Sequence, residues 1–377
     1  MSIAVLGPAP PDRGGIARET SRLVEELGRL EDVLWLTFSR RYPRRLDPRR
    51  FDRFEKDAEA PAIAVPILDW ASPRSWRDAA ARAASEARDG LLVPWWTAFW
   101  ALPVRAVMRA VRRASPQTPR VLLCHNVEDH EGGAGRRLLA RGALTAADAY
   151  VVHAEADRER LARIAPKQPV LLVPHPVEAL PPRSREDARR RLGLEIGDAP
   201  LVLFLGLVRR YKGVDLLLDA APAIVREAGA RVAVVGEVFP DALDLSKRAA
   251  ASPVKESLIW KDEYVGEEEM RDWMAACDAA VLPYRTVSGS GIAARAFAAR
   301  RPAVAARAGG LPDVVVPGAT GELFEPGDAA GLATAVRTAL SRPAGFYEPG
   351  LAAAADRASW PRYAEAIRDF VRGVSRP

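Results

Sequence analysis

The sequence predicts an α/β protein made of two Rossmann-like domains, each built on a parallel sheet. Short apolar runs alternate along the chain with longer stretches of helical periodicity, a pattern typical of parallel strands joined by helices. The runs are almost continuously apolar, as expected for strands buried on both faces. A chain of 377 residues is long for one core, and the pattern restarts near residue 180.

The first half contains strand candidates separated by helical stretches. Because parallel strands are joined by right-handed crossovers, this alternation predicts one parallel sheet. The predicted strands are 3–6, 33–37, 63–66, 91–93, 121–124, 149–152 and 170–173, and the clearest predicted helices are 16–30, 76–88 and 103–113.

A stiff, proline-rich connector separates the halves, with Pro174, Pro176, Pro181 and Pro182 close together. Beyond it, Ser184 suits a helix N-cap and Gly193 a helix end. The predicted strands of the second half are 201–205, 232–235, 258–260, 279–282 and 303–305. The predicted domains are residues 1–178 and 184–355, with a ligand bound beyond the carboxyl ends of the strands, in a cleft between the domains.

Composition narrows the class of protein. The residues are 49% hydrophobic and 28% charged, which is typical of a globular protein, and no stretch is apolar enough to span a bilayer. The N-terminus resembles a first buried strand more than a signal peptide. Cys124 and Cys277 lie far apart, which argues against a disulfide framework and favours a reducing cytoplasm.

The net charge of +6 is carried mostly by arginine, with the densest cluster near residue 45. Such a cluster can attract nucleic-acid phosphates, an anionic membrane or a pyrophosphate-linked substrate, or it can be a solvated surface. Since neither zinc-ligand spacing nor a nucleic-acid motif accompanies it, we expect no nucleic-acid partner. The cluster comprises Arg40, Arg41, Arg44, Arg45, Arg49, Arg50 and Arg53, diluted by Asp47 and Asp52.

Glycines between the first strand and first helix form the first candidate site. Gly14 and Gly15 would let the backbone approach a ligand at a helix N-terminus, although such a pair is often only a turn. The loop lacks the Gly-x-Gly-x-x-Gly fingerprint, and no acidic residue closes the next strand, which disfavours a nicotinamide-dependent oxidoreductase.

The second candidate is the segment 206–213, where cations follow a strand. Arg209 suits bidentate contact with a phosphate, and Lys212 suits a point-charge contact. A diphosphate leaving group needs such neutralisation as its bond to a sugar breaks. The alternative is a solvated basic loop.

Small residues after another strand form the third candidate. Ser288, Gly289, Ser290 and Gly291 open a predicted helix and offer backbone N–H groups and hydroxyls to a phosphate. The alternative is an ordinary helix cap.

The fourth candidate is the strand end at residues 124–131. His125 and His130 are two of only four histidines and stand beside carboxylates, with Asn126 between them. Either histidine could instead be structural or solvated. No Asp-x-Asp metal motif occurs in the chain, so we expect charge neutralisation by Arg209 and Lys212 and no metal or cofactor.

Together these motifs resemble the GT-B glycosyltransferases of the retaining family 4 over nearly the whole chain. The glycine loop, the His125-Asn126 strand end and the loop 206–213 are similar to its N-terminal loop, cleft histidine segment and donor-phosphate loop. Segments 147–153, 173–176, 309–313 and 318–321 are also similar to family segments. The ending 359–363 resembles a last helix that crosses back, so that 356–377 would pack on the first domain.

The chain departs from this family where two glutamates usually stand. Those positions hold Val287 and Arg295, and the loop resembles a subgroup with Ser-x-Ser-Gly, here Ser288-Gly289-Ser290-Gly291. The glutamate that usually contacts the nucleotide ribose is therefore missing, which leaves the donor's identity open.

The resemblance implies a retaining, metal-independent transfer of a sugar from a nucleoside-diphosphate sugar to a glycan, lipid-linked or small-molecule acceptor. His125, Arg209 and Lys212 would be catalytic. Gly14, Gly15 and residues 288–291 would bind the donor, and Asn126 and His130 would touch sugar or acceptor. Domain closure would bring Gly15 and His125 onto the donor. A non-catalytic nucleotide-sugar binder and a nucleotide-sugar epimerase remain alternatives. A basic acceptor-side cluster could also hold the protein on an anionic membrane.

Overall fold

The computed structural model of the protein describes residues 2–10, 12, 15–42, 61–127, 133–177, 183–195, 197–287 and 289–374. The chain divides into two compact units. The first contains Met1–Val173 and Trp360–Pro377, and the second contains Pro174–Ser359. The limits predicted from the sequence were 178 and 184 at the connector and 356 for the returning helix.

The first unit is built on a parallel sheet whose strand order is β3-β2-β1-β4-β5-β6-β7. The order reverses between β1 and β4, as in Rossmann-like sheets. The strands are β1 (Ser2–Leu6), β2 (Asp32–Arg40), β3 (Ala64–Asp69), β4 (Gly90–Trp95), β5 (Arg120–Cys124), β6 (Ala149–Val152) and β7 (Val170–Leu172). The helices, numbered along the chain, are α1 (Gly15–Gly28), α2 (Pro73–Glu86), α3 (Ala101–Ala114), α4 (Ala134–Leu144), α5 (Glu155–Ile164) and α14 (Trp360–Gly373).

Helices cover both faces of this sheet because its strands are apolar on both sides. Buried side chains of α2, α3 and α4 form one core with the sheet, and those of α1 and α14 form another. The helix α14 approaches the sheet closely, since a Cβ built on Gly90 would lie 2.6 Å from Val371 Cγ1. The terminal segment therefore belongs to the first unit.

The second unit has a parallel sheet of order β10-β9-β8-β11-β12-β13. Most of its buried apolar residues share one hydrophobic core. The strands are β8 (Leu201–Leu205), β9 (Arg231–Val235), β10 (Leu258–Lys261), β11 (Ala279–Leu282), β12 (Ala303–Ala306) and β13 (Gly321–Phe324). The helices are α6 (Arg185–Arg191), α7 (Val214–Ala228), α8 (Asp244–Ala250), α9 (Glu267–Ala276), α10 (Gly291–Ala298), α11 (Leu311–Val314), α12 (Ala329–Ser341) and α13 (Glu348–Arg357).

The predicted fold class is confirmed: both units are α/β with parallel sheets. Ser184 caps α6 by accepting a hydrogen bond from Asp187 N at 3.0 Å, and Gly193 has a φ of 65°. The strand β13 was not predicted, because Gly321 and Glu322 interrupt the apolar run that marks the other strands. Along the described ranges, no helix combines the length and the apolar composition needed to cross a membrane.

Two loops of the second unit meet at Gly213, at the start of α7. Gly213 has a φ of 67°, and a Cβ there would lie 1.9 Å from the carbonyl oxygen of Pro283. Arg285 N also donates to Tyr211 O at 2.8 Å. The loop after β8 and the loop after β11 are therefore held together by backbone contacts that leave no room for a side chain.

This contact predicts that alanine substitutions at the two ends of α7 lower the free energy of unfolding by different amounts. Gly229 has a φ of 61° but no atom within 4 Å of a Cβ position, so Gly229→Ala should cost only the left-handed strain, about 1–2 kcal/mol. Gly213→Ala adds a backbone collision and should cost about 1–3 kcal/mol more. Urea unfolding of both variants measures the difference. Equal losses would contradict the packing described for Gly213.

Candidate functional site

The carboxyl end of β8 carries the predicted phosphate loop, and its central feature is Lys212. The short 3₁₀ turn Arg210–Lys212 follows β8 and directs this side chain back toward the strand end. Lys212 Nζ lies 4.8 Å from the centre of the Tyr284 ring, and a Cβ built on Gly206 would be 3.8 Å from it. The ammonium group thus lies between the ends of β8 and β11, against an aromatic face.

Within the described ranges, no carboxylate lies within ion-pairing distance of Lys212. Burial lowers the pKa of its ammonium group, and the positive charge of Arg209 lowers it further, while Tyr211 acts in the opposite direction. A desolvated cation without a counter-charge is costly to the fold. Such a group binds an anion more strongly than a solvated lysine does, because it is already partly desolvated before the anion binds.

Arg209, the second predicted cation, is fixed by neighbouring side chains. Its Nε lies 3.1 Å from Asp241 Oδ1, and its guanidinium carbon lies 4.7 Å from the centre of the Phe239 ring. The adjacent Arg210 donates to the carbonyl oxygen of Asp241 at 2.7 Å. The carboxylate of Asp241 therefore holds Arg209 beside Lys212 and partly balances its charge.

The loop after β11 contributes the predicted serine and glycine residues. Ser290 caps α10 by accepting a hydrogen bond from Ala293 N at 3.3 Å. Burial raises the pKa of the Tyr284 hydroxyl, and the nearby Ser290 side chain acts in the opposite direction. Gly289 and Gly291 are partly buried on either side, and Ser288 lies outside the described residues. This loop therefore lies next to Lys212 through their common neighbour Tyr284.

The positions of the two missing glutamates are occupied in different ways. Val287 is buried, and its carbonyl oxygen would lie 1.6 Å from a Cβ on Gly309. Arg295 forms two hydrogen bonds with the carboxylate of Glu267, at 2.7 and 3.0 Å. A carboxylate therefore lies beside α10, although it comes from the start of α9 and is paired with an arginine.

In the first unit, His125 lies at the carboxyl end of β5. Its backbone N donates to Trp95 O at 2.8 Å, and its ring Nδ1 lies 3.2 Å from Glu19 Oε2 of α1. The imidazole is buried, whereas the glutamate is partly exposed. An adjacent carboxylate orients an imidazole and stabilises its protonated form. Asn126 is used differently, since its Nδ2 donates to Trp96 O at 3.2 Å.

A second histidine lies next to His125 at the end of β6. The rings of His153 and His125 are 5.7 Å apart between centroids, and His153 stacks on Tyr363 of α14 at 5.8 Å. His153 Nδ1 lies 3.0 Å from Val173 O, and because a carbonyl oxygen only accepts, Nδ1 carries the hydrogen. Burial raises the pKa of Tyr363, and the charge of Glu19 adds to this effect. Thus Glu19, two histidines and a tyrosine share one polar site.

The remaining predicted site residues either have no neighbour at the Cβ position or lie outside the described ranges. Gly15 opens α1 with no atom within 4 Å of its Cβ position, so its own packing does not require glycine. Gly14 and His130 lie outside the described residues. Cys124 and Cys277 are both free and buried, and burial raises the pKa of each thiol.

The predicted arginine cluster is described only at its start. Arg40 Nε donates to Asp69 Oδ1 at 3.1 Å, and Arg41 lies 3.2 Å from Asp12 Oδ2. These two charges are therefore balanced within the first unit. The remaining members, Arg44, Arg45, Arg49, Arg50 and Arg53, lie outside the described residues.

Comparison with known proteins finds a matching family for part of the chain and similar solved structures. Residues 199–342 match the family described as Glycosyl transferases group 1. A D-inositol 3-phosphate glycosyltransferase of Streptomyces avermitilis is 34% identical over 238 residues, which are 59% of this chain and 49% of that protein. The chain thus spans about half the length of the curated relatives it matches.

Solved structures resemble the chain over nearly its whole length. Sucrose-phosphate synthase from Thermosynechococcus elongatus gives a TM-score of 0.78 at 18% identity, covering 98% of both chains. Anabaena HepE in complex with UDP-glucose gives 0.74 at 17% identity, covering 98% of this chain and 99% of that one. The fold is therefore that of the GT-B class. Within it, the second unit matches the group 1 glycosyl transferases.

Several residues of both sites were not singled out from the sequence. Glu19 lies one helical turn after Gly15, and its helical position could have suggested a side chain directed at the strand ends. Tyr284 follows β11 by two residues, and no sequence pattern gave it a role. Asp241 lies in the segment after β9 and Glu267 at the start of α9, and no motif connects them with Arg209 or Arg295.

The partial burial of Lys212 and its lowered pKa predict that its replacement stabilises the ligand-free protein. Lys212→Met keeps the length of the side chain over Tyr284 but removes the desolvated charge. We expect the melting temperature to rise by roughly 2–4 °C, the change that about 1 kcal/mol produces in a domain of this size. Stabilisation by added pyrophosphate should be lost in the same variant. Differential scanning fluorimetry measures both effects.

Lys261→Met is the matched control. Lys261 Nζ lies 2.9 Å from Glu269 and 3.3 Å from Glu263, so this variant should lower the melting temperature of the protein.

The stabilisation by Lys212→Met should also depend on pH. The lowered pKa of Lys212 reduces the free energy of unfolding only at pH values where the lysine is charged in the unfolded chain. The gain from Lys212→Met should therefore shrink as the pH approaches the ordinary lysine pKa of 10.5. A lower melting temperature together with unchanged pyrophosphate stabilisation would contradict the assignment.

Proposed function

We propose that this protein is a glycosyltransferase that moves a sugar from a nucleoside-diphosphate sugar to a glycan, lipid-linked or small-molecule acceptor. The observation that carries the proposal is the Lys212 ammonium, which lies beside Arg209 at a strand end with no described carboxylate to balance it. In glycosyl transfer the diphosphate gains charge as it departs. A desolvated cation at that position stabilises the transition state more than the bound donor.

The matched family, the name of the inositol phosphate glycosyltransferase relative and the UDP-glucose bound to HepE support this choice. Retention of the anomeric configuration rests on the resemblance to the retaining family. The contact of His125 with the sugar or its departing oxygen remains a proposal, and Glu19 would orient its imidazole.

Loss of either cation should reduce transfer strongly. The donor is first identified by thermal shift with a panel of nucleoside-diphosphate sugars, and turnover is then followed by release of nucleoside diphosphate. Because each transition-state contact of this kind contributes about 3–4 kcal/mol, Arg209→Ala and Lys212→Ala should each lower kcat/KM by a factor of hundreds. Lys247→Ala, an exposed lysine of the same unit, is the matched control. Near-normal turnover in both cation variants would refute the phosphate assignment.

We also propose that transfer needs no metal ion, because two cations supply the positive charge that a metal would otherwise provide. The rate should then stay within about twofold when EDTA is present, since no bound ion would be removed. Steady-state rates with EDTA, with Mg²⁺ and with Mn²⁺ measure this. A strict requirement for an added divalent cation would mean that Arg209 and Lys212 do not suffice.

A further inference from the structure

The outward surface of α3 and α4, in the first unit, carries a positive charge that nothing described balances. The two helices pack against each other, and Arg105 of α3 lies against α4, with Nη1 at 3.4 Å from a Cβ position on Gly142. We define the α3–α4 surface as the outward side chains of these two helices. Its arginines are the half-buried Arg105 and the exposed Arg109, Arg112, Arg113, Arg136, Arg137 and Arg141.

Neither helix contains an aspartate or a glutamate. Among the described residues, none of these seven arginines forms an ion pair, although arginines elsewhere, such as Arg120 with Asp148, are paired. Glu128, Asp129 and Glu131 precede α4 in the sequence and lie outside the described residues, and the seven arginines outnumber them. The surface therefore has a net positive charge that favours an anionic partner.

Large apolar side chains stand among these arginines. Leu138 is 72% exposed, Leu102 is 55% exposed and Leu139 is 45% exposed. One exposed leucine is ordinary on a protein surface, but three on two packed helices rich in arginine are not explained by folding. A nucleic acid offers phosphates but no apolar layer for leucines, whereas an anionic bilayer offers both.

The pattern along α3 places leucine and arginine on the same side. Leu102, Arg105, Arg109 and Arg112 recur at intervals of three and four residues, which is one face of a helix. Val104, Val107, Met108 and Val111 form the opposite, buried face. A helix of this kind can lie in the plane of a membrane interface, with arginine side chains reaching the phosphates and leucines entering the acyl boundary.

We propose that the α3–α4 surface is a peripheral membrane-binding site for bilayers that contain anionic phospholipids. The seven arginines of this surface are not members of the arginine cluster at residues 40–53, of which the described members, Arg40 and Arg41, are paired with Asp69 and Asp12. The proposal does not depend on the transferase activity. It requires only that the first unit approach a bilayer with these two helices.

Vesicle co-sedimentation tests the proposal with the full chain. The vesicles contain phosphatidylcholine alone or phosphatidylcholine mixed with phosphatidylglycerol, and each is used across a salt series. Since each basic residue near an anionic surface contributes favourably, a variant with Ser at Arg109, Arg112, Arg136 and Arg137 should bind the anionic vesicles at least about a hundredfold more weakly. A variant with Ser at Leu102, Leu138 and Leu139 should bind at low salt but release at lower salt than the wild-type protein does.

The matched control replaces four exposed arginines of the second unit, Arg190, Arg191, Arg226 and Arg337, with Ser. It changes net charge equally and should bind anionic vesicles like the wild type. Circular dichroism of every variant checks that these surface changes leave the fold intact.

Four results would overturn the proposal. The first is that the wild-type protein binds neither kind of vesicle or binds both equally, and the second is that the control variant loses as much vesicle binding as the α3–α4 arginine variant. The third is that the protein binds single-stranded DNA but not vesicles. The last is that the α3–α4 arginine variant keeps full binding to anionic vesicles. The last result, combined with loss in a variant with Ser at Arg44, Arg45, Arg49 and Arg50, would assign membrane binding to the other cluster.

Discussion

The Lys212 ammonium lies against the face of Tyr284, in a position where the described residues supply no negative charge. An aromatic face attracts a cation but does not replace the water or carboxylate that a lysine normally has. The group is held there by packing, since the 3₁₀ turn that carries it is fixed by Gly213 against Pro283 and by Arg285 N on Tyr211 O. Sheet topology places β8 next to β11, and their loops create this setting. The fold therefore maintains a charge whose cost is recovered only when an anion binds.

The surrounding side chains keep this charge unbalanced. Asp241 pairs with Arg209, Asp215 pairs with Arg285 and Glu267 pairs with Arg295, so these three carboxylates already have partners. A glutamate at position 295 would instead stand beside Glu267 as a like charge. The Arg295–Glu267 pair thus gives a physical account of the arginine at this position. The first unit uses the opposite arrangement, because Glu19 supplies a carboxylate to His125 directly.

The sequence predicted the features that depend on short-range patterns. Continuous apolar runs marked nearly all strands of both sheets, and the cations after β8 were recognised because parallel strands bring their carboxyl ends to one edge. Features that depend on long-range contact were not predicted. Glu19 meets His125 across more than a hundred positions, and Asp241 reaches Arg209 from the next crossover. The two basic surfaces differ in the same way, because one is visible in the local sequence and the other depends on long-range contact. The cluster at residues 40–53 is dense in the sequence itself, whereas the α3–α4 surface forms only when two helices separated by a strand pack together.

The most direct test of the account is the titration of Lys212 itself. Lysine labelled with ¹³C at Cε gives few signals in a chain with six lysines, and Lys212→Arg assigns the one of interest. Without ligand, Lys212 should titrate below the ordinary value of 10.5, whereas Lys261, paired with Glu269 and Glu263, should titrate above it. Addition of a nucleoside diphosphate should raise the pKa of Lys212 and leave that of Lys261 unchanged, because only the first gains a counter-charge. A Lys212 signal that titrates at the ordinary value and does not respond to the diphosphate would contradict the central claim.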